Sequence, residues 1–285
     1  MAWQTIVSAE HAATRLIDPR LRVFDCRYAL GDPAAGHEAY LRGHLPGAIH
    51  VDMNRELAAP STPRSGRHPL PAPDGFAARL RAWGVDDDSL LLAYDDDGGL
   101  WAARFWWMAA RWLGHAHVAV LDGGLRRWLA LGLPVTRDVP PPRPAGTFEP
   151  RIDPEATVDA DATGRAAADP GWRVLDARAP ERYRGEVEPV DTVAGHIPGA
   201  ANLPTASLLD ADGTFLATSA LKDAFATRLG TTPPERTVVY CGSGVTACHL
   251  LLGMQHAGLG GARLYPGSWS EWSRDPERPV ARGDE

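Results

Sequence analysis

The sequence predicts an α/β protein built from two tandem copies of one domain, each a parallel β-sheet flanked by helices. Three observations predict it. Short apolar runs alternate with helical patterns, the signature of βαβ units. The same motifs occur twice in the same order, offset by 144 to 152 residues. A proline-rich stretch, DVPPPRPAGTFEPRIDPEA (138–156), lies between the copies and reads as an extended linker.

The repeats fix the register of the two halves. VFDCR (23–27) returns as VLDAR (174–178), and GHLPGA (43–48) returns as GHIPGA (195–200). LLAYDDDGGL (91–100) matches TVVYCGSGVT (237–246) in kind: an apolar strand ending in Tyr, then a polar loop containing glycine. LDGGLRRW (121–128) answers YPGSWSEW (265–272). In the first half RVFD, AIHVD, LLLAYD and HVAVLD read as strands, and FAARLRAWG (76–84) and AARFWWMAARWLG (102–114) as helices. The tryptophan-rich helix 102–113 is apolar around most of its face and is expected to pack in the core between the domains. The domains are expected at 1–140 and 156–285, joined by a linker over 141–155 with the boundary near residue 148. The final DPERPVARGDE is expected to be a loosely held terminus.

Composition narrows the function. Of 285 residues, 44% are hydrophobic and 23% charged, enough for a packed core and too apolar for global disorder. The net charge of −7 and the scattered arginines argue against nucleic acid and against an anionic membrane. No run approaches the roughly 18 apolar residues of a membrane span. The opening MAWQTIVSAEHAATRLIDPR has acidic residues and no basic n-region, so it does not read as a secretory signal. The three cysteines, Cys26, Cys241 and Cys248, form an odd set without metal-ligand spacing. A reducing cytoplasm is the expected location.

One position separates the copies. Where the second has Cys241, the first has Asp95. Cys241 follows the apolar run TVVY and precedes the helical run TACHLLL, so it stands where a parallel strand gives way to a helix. The amides of Gly242, Ser243, Gly244, Val245, Thr246 and Ala247 are placed to curl around its sulfur as an anion nest. Such a setting favours the thiolate, the reactive form. The first copy is expected to supply scaffold, and one wall of a cleft, without a nucleophile. His44 and His196 sit in the repeated GH[IL]PGA motif, so a turn-ordering role is expected for both. Arg178 recurs as Arg27 and reads as half of a structural ion pair.

Taken together, D-x-R, GH[IL]PGA in both halves, Asp95 in place of the first cysteine, the loop CGSGVTA and the closing YPGSWSEW resemble the tandem rhodanese-type sulfurtransferases, the thiosulfate and 3-mercaptopyruvate enzymes. The likeness covers nearly the whole chain. It implies two rhodanese-like domains and an enzyme that moves sulfur from a small anionic donor through a Cys241 persulfide to a thiol, thioredoxin or cyanide, without a metal or organic cofactor. It implies that Arg182 binds the donor's carboxylate or sulfonate, and that His68, in SGRHPLP (65–71), works with Ser243 in proton transfer. The neutral Gly242 and Ser243 match the mercaptopyruvate enzymes, so 3-mercaptopyruvate is the favoured donor and thiosulfate the other. The chain is expected to act as a monomer. Arg184 is a weaker candidate than Arg182, and Cys248 is expected to be buried. Thr246 is expected to hydrogen-bond within the loop or to cap the following helix.

Two positions depart from the pattern. Val190 stands where a second donor-binding arginine follows a Glu-Pro pair, and Asn54 stands where an aspartate would support His68, with Asp52 close by in sequence. A cysteine-dependent phosphatase is the first rival, but its Cys-x5-Arg signature fails because Ala247 occupies the arginine position. The second is a persulfide carrier that hands sulfur to a partner protein.

Overall fold

The computed structural model describes Trp3 and residues 5–284. They divide into two compact units. Unit 1 comprises the chain through Ala59, Leu70–Asp153 and Asp210–Phe215; unit 2 comprises Pro60–Pro69, Pro154–Leu209 and the chain from Leu216 onward. Each unit therefore contains a short segment that lies, in sequence, within the other half.

Unit 1 holds five parallel strands: β1 (Thr5–Val7), β2 (Leu21–Asp25), β3 (Ala48–His50), β4 (Leu90–Tyr94) and β5 (Val118–Leu121), in the order β1-β5-β4-β2-β3. Central β4 is buried along its whole length, as a strand covered on both faces must be. Unit 2 repeats the plan with β6 (Arg173–Asp176), β7 (Ala201–Asn202), β8 (Thr237–Tyr240) and β9 (Arg263–Leu264), in the order β7-β6-β8-β9, again all parallel. The counterpart of β1 is reduced there to one parallel bridge, Thr157 to Leu264. Sheets and repeats thus agree with the fold class read from the sequence.

Details depart from it. The sequence patterning passed over β1, which runs for only three residues. The tryptophan-rich segment is not one regular helix. An α-helical Ala102–Trp106 passes into a π-helical Trp107–Trp112, with Leu113 N–H donating to Met108 O five residues back. The α-helical part packs on β4 and β5 of its own unit. Through Asp153 the proline-rich stretch lacks regular structure but is tied to unit 1, where Phe148 is buried and Arg151 and Asp153 donate backbone hydrogen bonds to Leu113 and Trp112; Pro154–Ala156 then form a 3-10 turn that belongs to unit 2. The chain's last stretch is not loose. Trp272 Nε1 donates to Pro279 O, His196 and Ala281 exchange both backbone hydrogen bonds, and Gly283 N–H donates to Arg184 O. Backbone pairing of this kind overrides the acidic, proline-containing composition that suggested a free end. Among the described residues no helix is long and apolar enough to cross a membrane.

Candidate active site

The same frame underlies the loop that follows the central strand of each unit. In unit 1, Arg27 Nε and Nη2 grip the buried Asp25 carboxylate, and Nη2 also donates to Gly43 O at 2.8 Å. In unit 2, Arg178 does the same with Asp176 and donates to Gly195 O at 2.7 Å. His44 and His196 each place Nδ1 2.8 Å from a backbone carbonyl, of Tyr40 and Tyr183, and stack on those tyrosines at 3.8 Å. These paired residues order turns and strand ends and have no further chemistry to explain.

The unit 1 loop shows what the frame can hold. Asp95 follows β4 and is fully buried. Its Oδ1 accepts from the amides of Asp97 and Gly99, both at 2.9 Å; its Oδ2 accepts from Trp101 at 2.8 Å and Ala102 at 2.9 Å. Burial pushes the carboxyl above its ordinary pKa, and the four amides pull the other way. Leu125 N–H anchors the Asp95 carbonyl from below at 2.7 Å.

The unit 2 loop has the same backbone support and a different side chain. Trp269 N–H donates to Cys241 O at 3.0 Å and Ser270 N–H to Gly242 O at 2.9 Å. Ser268, held at a left-handed φ of 53°, accepts from Cys241 N–H at 3.1 Å through Oγ and donates to Tyr265 O at 2.9 Å. YPGSWSEW is therefore the seat of the Cys241 loop. Gly244 adopts φ +76°, and a side chain there would run into the Pro266 carbonyl, so glycine is required. Among the described residues, the amides of Gly242, Ser243, Val245, Thr246 and Ala247 donate to no protein acceptor. Ala247 opens the helix Ala247–His256 behind the loop; Thr246 occupies its N-cap position but makes no side-chain capping bond. The capping role expected for Thr246 is therefore not realised. Cys241 is 1% exposed and lies at the bottom of this loop.

Unit 2 also gathers the other candidates. The segment 60–69 lies against residues 267–274: Arg67 N–H donates to Ser270 Oγ at 3.0 Å, and Arg274 Nη1 to Ser65 O at 2.6 Å. A side chain at Gly66 would collide with the Gly267 carbonyl, so that close approach needs glycine. This contact delivers His68, whose Nδ1 lies 2.8 Å from Ser243 Oγ, both groups buried. Arg182 comes from the short helix Pro180–Tyr183 after β6; its Nη1 lies 3.6 Å from where a Cβ on Gly242 would stand. Its Nη2 pairs with Glu188 at 2.6 Å and Asp191 at 3.4 Å. Burial pushes Glu188 upward, but the Arg182 hydrogen bond and the amides of Asp191 and Val190 outweigh it and leave the carboxyl below its ordinary pKa.

Sequence patterning does not single out Arg67. It pairs with Asp191, 124 residues away, and its Nη2 lies 3.0 Å from the Gly242 Cβ position. The only signal was its place in SGRHPLP, beside His68.

Other residues stand apart from the loop or are spent. Arg184 pairs with the exposed Glu186 at 2.7 Å. It helps line a cavity of about 920 Å³ with Tyr183, Asn202, Ser207 and Arg228, which holds none of the candidate site residues. Cys248 is fully buried, with Sγ 3.3 Å from Gly244 O. Burial, with Asp25, Asp95 and Glu56 adding to it, raises the Cys26 thiol well above its ordinary pKa. Val190 carries no charge to the loop; its amide donates to Glu188 at 3.1 Å. Asn54 belongs to unit 1, where Tyr28 Oη lies 3.4 Å from its Oδ1.

Comparison with known proteins places this geometry in context. The model of the rhodanese-like domain matches residues 8–131 and again 159–275. The chain is 46% identical over 286 residues to a probable 3-mercaptopyruvate sulfurtransferase of Pseudomonas aeruginosa, covering 100% of both chains. It is 42% identical over 278 residues to a putative thiosulfate sulfurtransferase, SseB, of Mycobacterium tuberculosis, covering 98% of this chain and 96% of that one. The crystal structure of SseA from Escherichia coli, 33% identical, superposes with a TM-score of 0.80 over 95% of this chain and 100% of that one.

Proposed function

The chain belongs to the rhodanese family as a two-domain sulfurtransferase, and on that premise we propose that it carries sulfur from a small anionic donor on Cys241 as a persulfide. The observation that carries this reading is the occupant of the matching loop in unit 1. There a carboxylate accepts four amide hydrogen bonds. From the backbone outward, Asp95 runs Cβ, Cγ, Oδ; a persulfide on Cys241 runs Cβ, Sγ, Sδ. The outer sulfur of the persulfide thus falls where the loop keeps an anionic oxygen in unit 1. In unit 2 the cysteine is one atom too short to reach that place, and the loop amides are left for the transferred sulfur. Donors fixed in advance around a developing charge lower the barrier because they need not reorganise.

With 3-mercaptopyruvate, the Cys241 thiolate attacks the donor sulfur. An S–S bond forms, the C–S bond breaks, and its electron pair passes to the carbon, giving the enolate of pyruvate. The enolate takes the proton that the donor's thiol gives up, so persulfide anion and pyruvate are formed without an external reductant. Ser243 and His68, 2.8 Å apart, are suited to relay that proton. Arg182 holds the donor's anionic group beside Gly242. In the second half, a thiolate attacks the outer sulfur and leaves as a persulfide, or cyanide leaves as thiocyanate; Cys241 is released as thiolate. Thioredoxin serves as a thiol of this kind.

The Ser243–His68 contact and the neutral loop favour 3-mercaptopyruvate over thiosulfate. The two arginines beside Gly242 suit a small anionic donor, which favours turnover of small molecules over a carrier that only hands sulfur to a partner protein. Unit 2 of one chain gathers all the candidate residues, which supports action as a monomer, and three free cysteines fit a reducing cytoplasm. The test is intact-mass analysis after exposure to each donor. A gain of about 32 Da that disappears in Cys241→Ser is expected for the covalent intermediate. A gain that persists in that variant refutes the assignment.

A further inference from the structure

Each sheet has an edge strand with a groove beside it, and the two units treat that groove differently. The edge is β3 in unit 1 and β7 in unit 2. Their registers are equivalent: Ile49 lies opposite Phe24, and Ala201 opposite Leu175. Arg22, Gly47 and Ile49 line the first groove. Their repeat counterparts Arg173, Gly199 and Ala201 line the second.

In unit 1 the chain itself takes up most of this space. His44 and Thr136 exchange both backbone hydrogen bonds, and a few residues later Pro140–Arg143 form one wall of the groove, leaving about 240 Å³. Arg143 packs so closely on the end of the helix Pro73–Ala82 that a Cβ on Gly84 would lie 3.0 Å from its own Cβ. Proline-rich chain is extended before it docks, so little conformational freedom is lost in seating it. Arg22 is fully engaged. Its Nε donates to Gly84 O at 2.6 Å, and its Nη1 to Pro19 O at 2.8 Å and Leu21 O at 3.0 Å.

In unit 2 the groove is open, about 920 Å³ in volume. His196 and Ala281 exchange the same pair of backbone bonds, but Gly283 N–H then donates to Arg184 O and Asp284 stands in the lining. Two substitutions change the groove's character. Ala201 is smaller than Ile49. Arg228 stands two residues before Gly230, where Ala82 stands two before Gly84, both glycines having positive φ. Arg228 uses only Nε, on Asn202 O at 2.8 Å. Arg173 uses only Nη1, on Trp172 O at 3.0 Å and Pro170 O at 3.4 Å. Nη1 and Nη2 of Arg228, and Nε and Nη2 of Arg173, have no acceptor among the described residues. The third arginine of the lining, Arg184, pairs with Glu186 and faces Asp284.

We propose that the groove beside β7 is a docking site for an extended acidic segment of a partner protein. The shape argument is internal: the same groove in unit 1 is walled by an extended proline-rich stretch of this chain. The charge argument is the pair of guanidinium groups with open donors, which suit carboxylates spaced along such a segment. The surface lies apart from the Cys241 loop and does not depend on the sulfur chemistry proposed above.

The probe is a fluorescein-labelled (Glu-Pro)3 peptide, read by fluorescence anisotropy on the full chain. Saturable binding is expected, weakening several-fold as salt rises from about 50 to about 200 mM. (Lys-Pro)3 should not bind. (Glu-Gly)3 should bind several-fold more weakly, because the flexible chain loses more freedom on ordering. Replacing both open guanidiniums, Arg173→Gln with Arg228→Gln, should weaken (Glu-Pro)3 at least about tenfold. Ser207, exposed in the 3-10 turn Thr205–Leu208, lines the groove without charge, and Ser207→Trp should block it to a similar degree. Thermal midpoints report whether each variant folds.

No saturable binding of (Glu-Pro)3 up to about 1 mM overturns the proposal. So does parental affinity in the double arginine variant. Inorganic tripolyphosphate competing at least as tightly as the peptide marks a small-anion site and also overturns it. Should the double variant not fold, Ser207→Trp decides: parental affinity there removes the groove. Cys241→Ser should bind the peptide as the parent does, so failure of the persulfide reading leaves this test standing; lost binding in Cys241→Ser would assign the peptide to the loop and overturn the groove.

Discussion

The loops after β4 and β8 have the same backbone plan and opposite fates. Both leave a buried parallel strand, and both are anchored from beneath by an amide, Leu125 under Asp95 and Trp269 under Cys241. In unit 1 the loop closes on its own Asp95, and four amide donors are consumed. In unit 2 a cysteine takes that position and five loop amides find no protein acceptor among the described residues. On the proposed reading, the difference between scaffold and site is whether the anion is built into the chain or brought to it. Function is grafted onto a fold by a few side chains, and on this reading one fold carries both outcomes in a single molecule.

The sharpest way to break this comparison is to remove the proposed nucleophile. Cys241→Ser should lower sulfur transfer by at least about a thousandfold, because no other described cysteine can take its place. Unit 2 should keep its fold, read as an unchanged circular dichroism spectrum. Activity near the parental level would end the distinction between the loops.

Next is the converse change in unit 1. Asp95→Asn keeps one acceptor oxygen but leaves the Oδ2 partners, the amides of Trp101 and Ala102, facing an NH2 group. A loss of roughly 2–4 kcal/mol is expected in denaturant unfolding of unit 1, from two buried donors left unmade. Sulfur loading per folded molecule should not change. An equally stable variant would mean that the loop does not need its internal anion.

The proton relay is tested by His68→Gln, which keeps a polar group near Ser243. Loading from 3-mercaptopyruvate should slow by about a hundredfold, the usual weight of a general acid–base group, while loading from thiosulfate, which needs no carbon protonated, should change little. Equal slowing with both donors would remove His68 from proton transfer. A smaller effect is expected from Arg182→Ala: about a tenfold rise in donor KM with kcat nearly kept, as loosened ground-state binding requires. An unchanged KM would take Arg182 out of the site. Finally, brief treatment with iodoacetamide should label Cys241 ahead of Cys26, whose thiol burial and neighbouring carboxylates hold protonated. Peptide mapping that found Cys26 labelled first would contradict the contrast between the two units.

Much of this was legible in the chain. Repeated D-x-R and GH[IL]PGA gave two copies of one domain, and TVVYCGSG placed Cys241 at a strand end. His44 and His196 were read as turn residues because both copies have them, and the tyrosine stacks explain why. Other features left no periodic trace. β1 is too short to show alternation. A π-helical turn in Trp107–Trp112 differs from an α-helix by one residue per turn, which composition does not encode. The terminal segment looked free because its charge and prolines say nothing of the backbone partners, Arg184 and His196, that hold it.

What the sequence by itself determined is the repeated α/β scaffold, the family and the single position where the two copies differ chemically. These follow from local patterning and from comparing the chain with itself. Only the tertiary structure decided the contents of the candidate site. It seats residues 60–69 on unit 2, sets His68 against Ser243, and brings Arg67 to Asp191 across 124 residues. The physical reason is that hydrogen bonds and ion pairs depend on distance in space, and side chains so far apart in sequence share no local pattern from which that distance could be read.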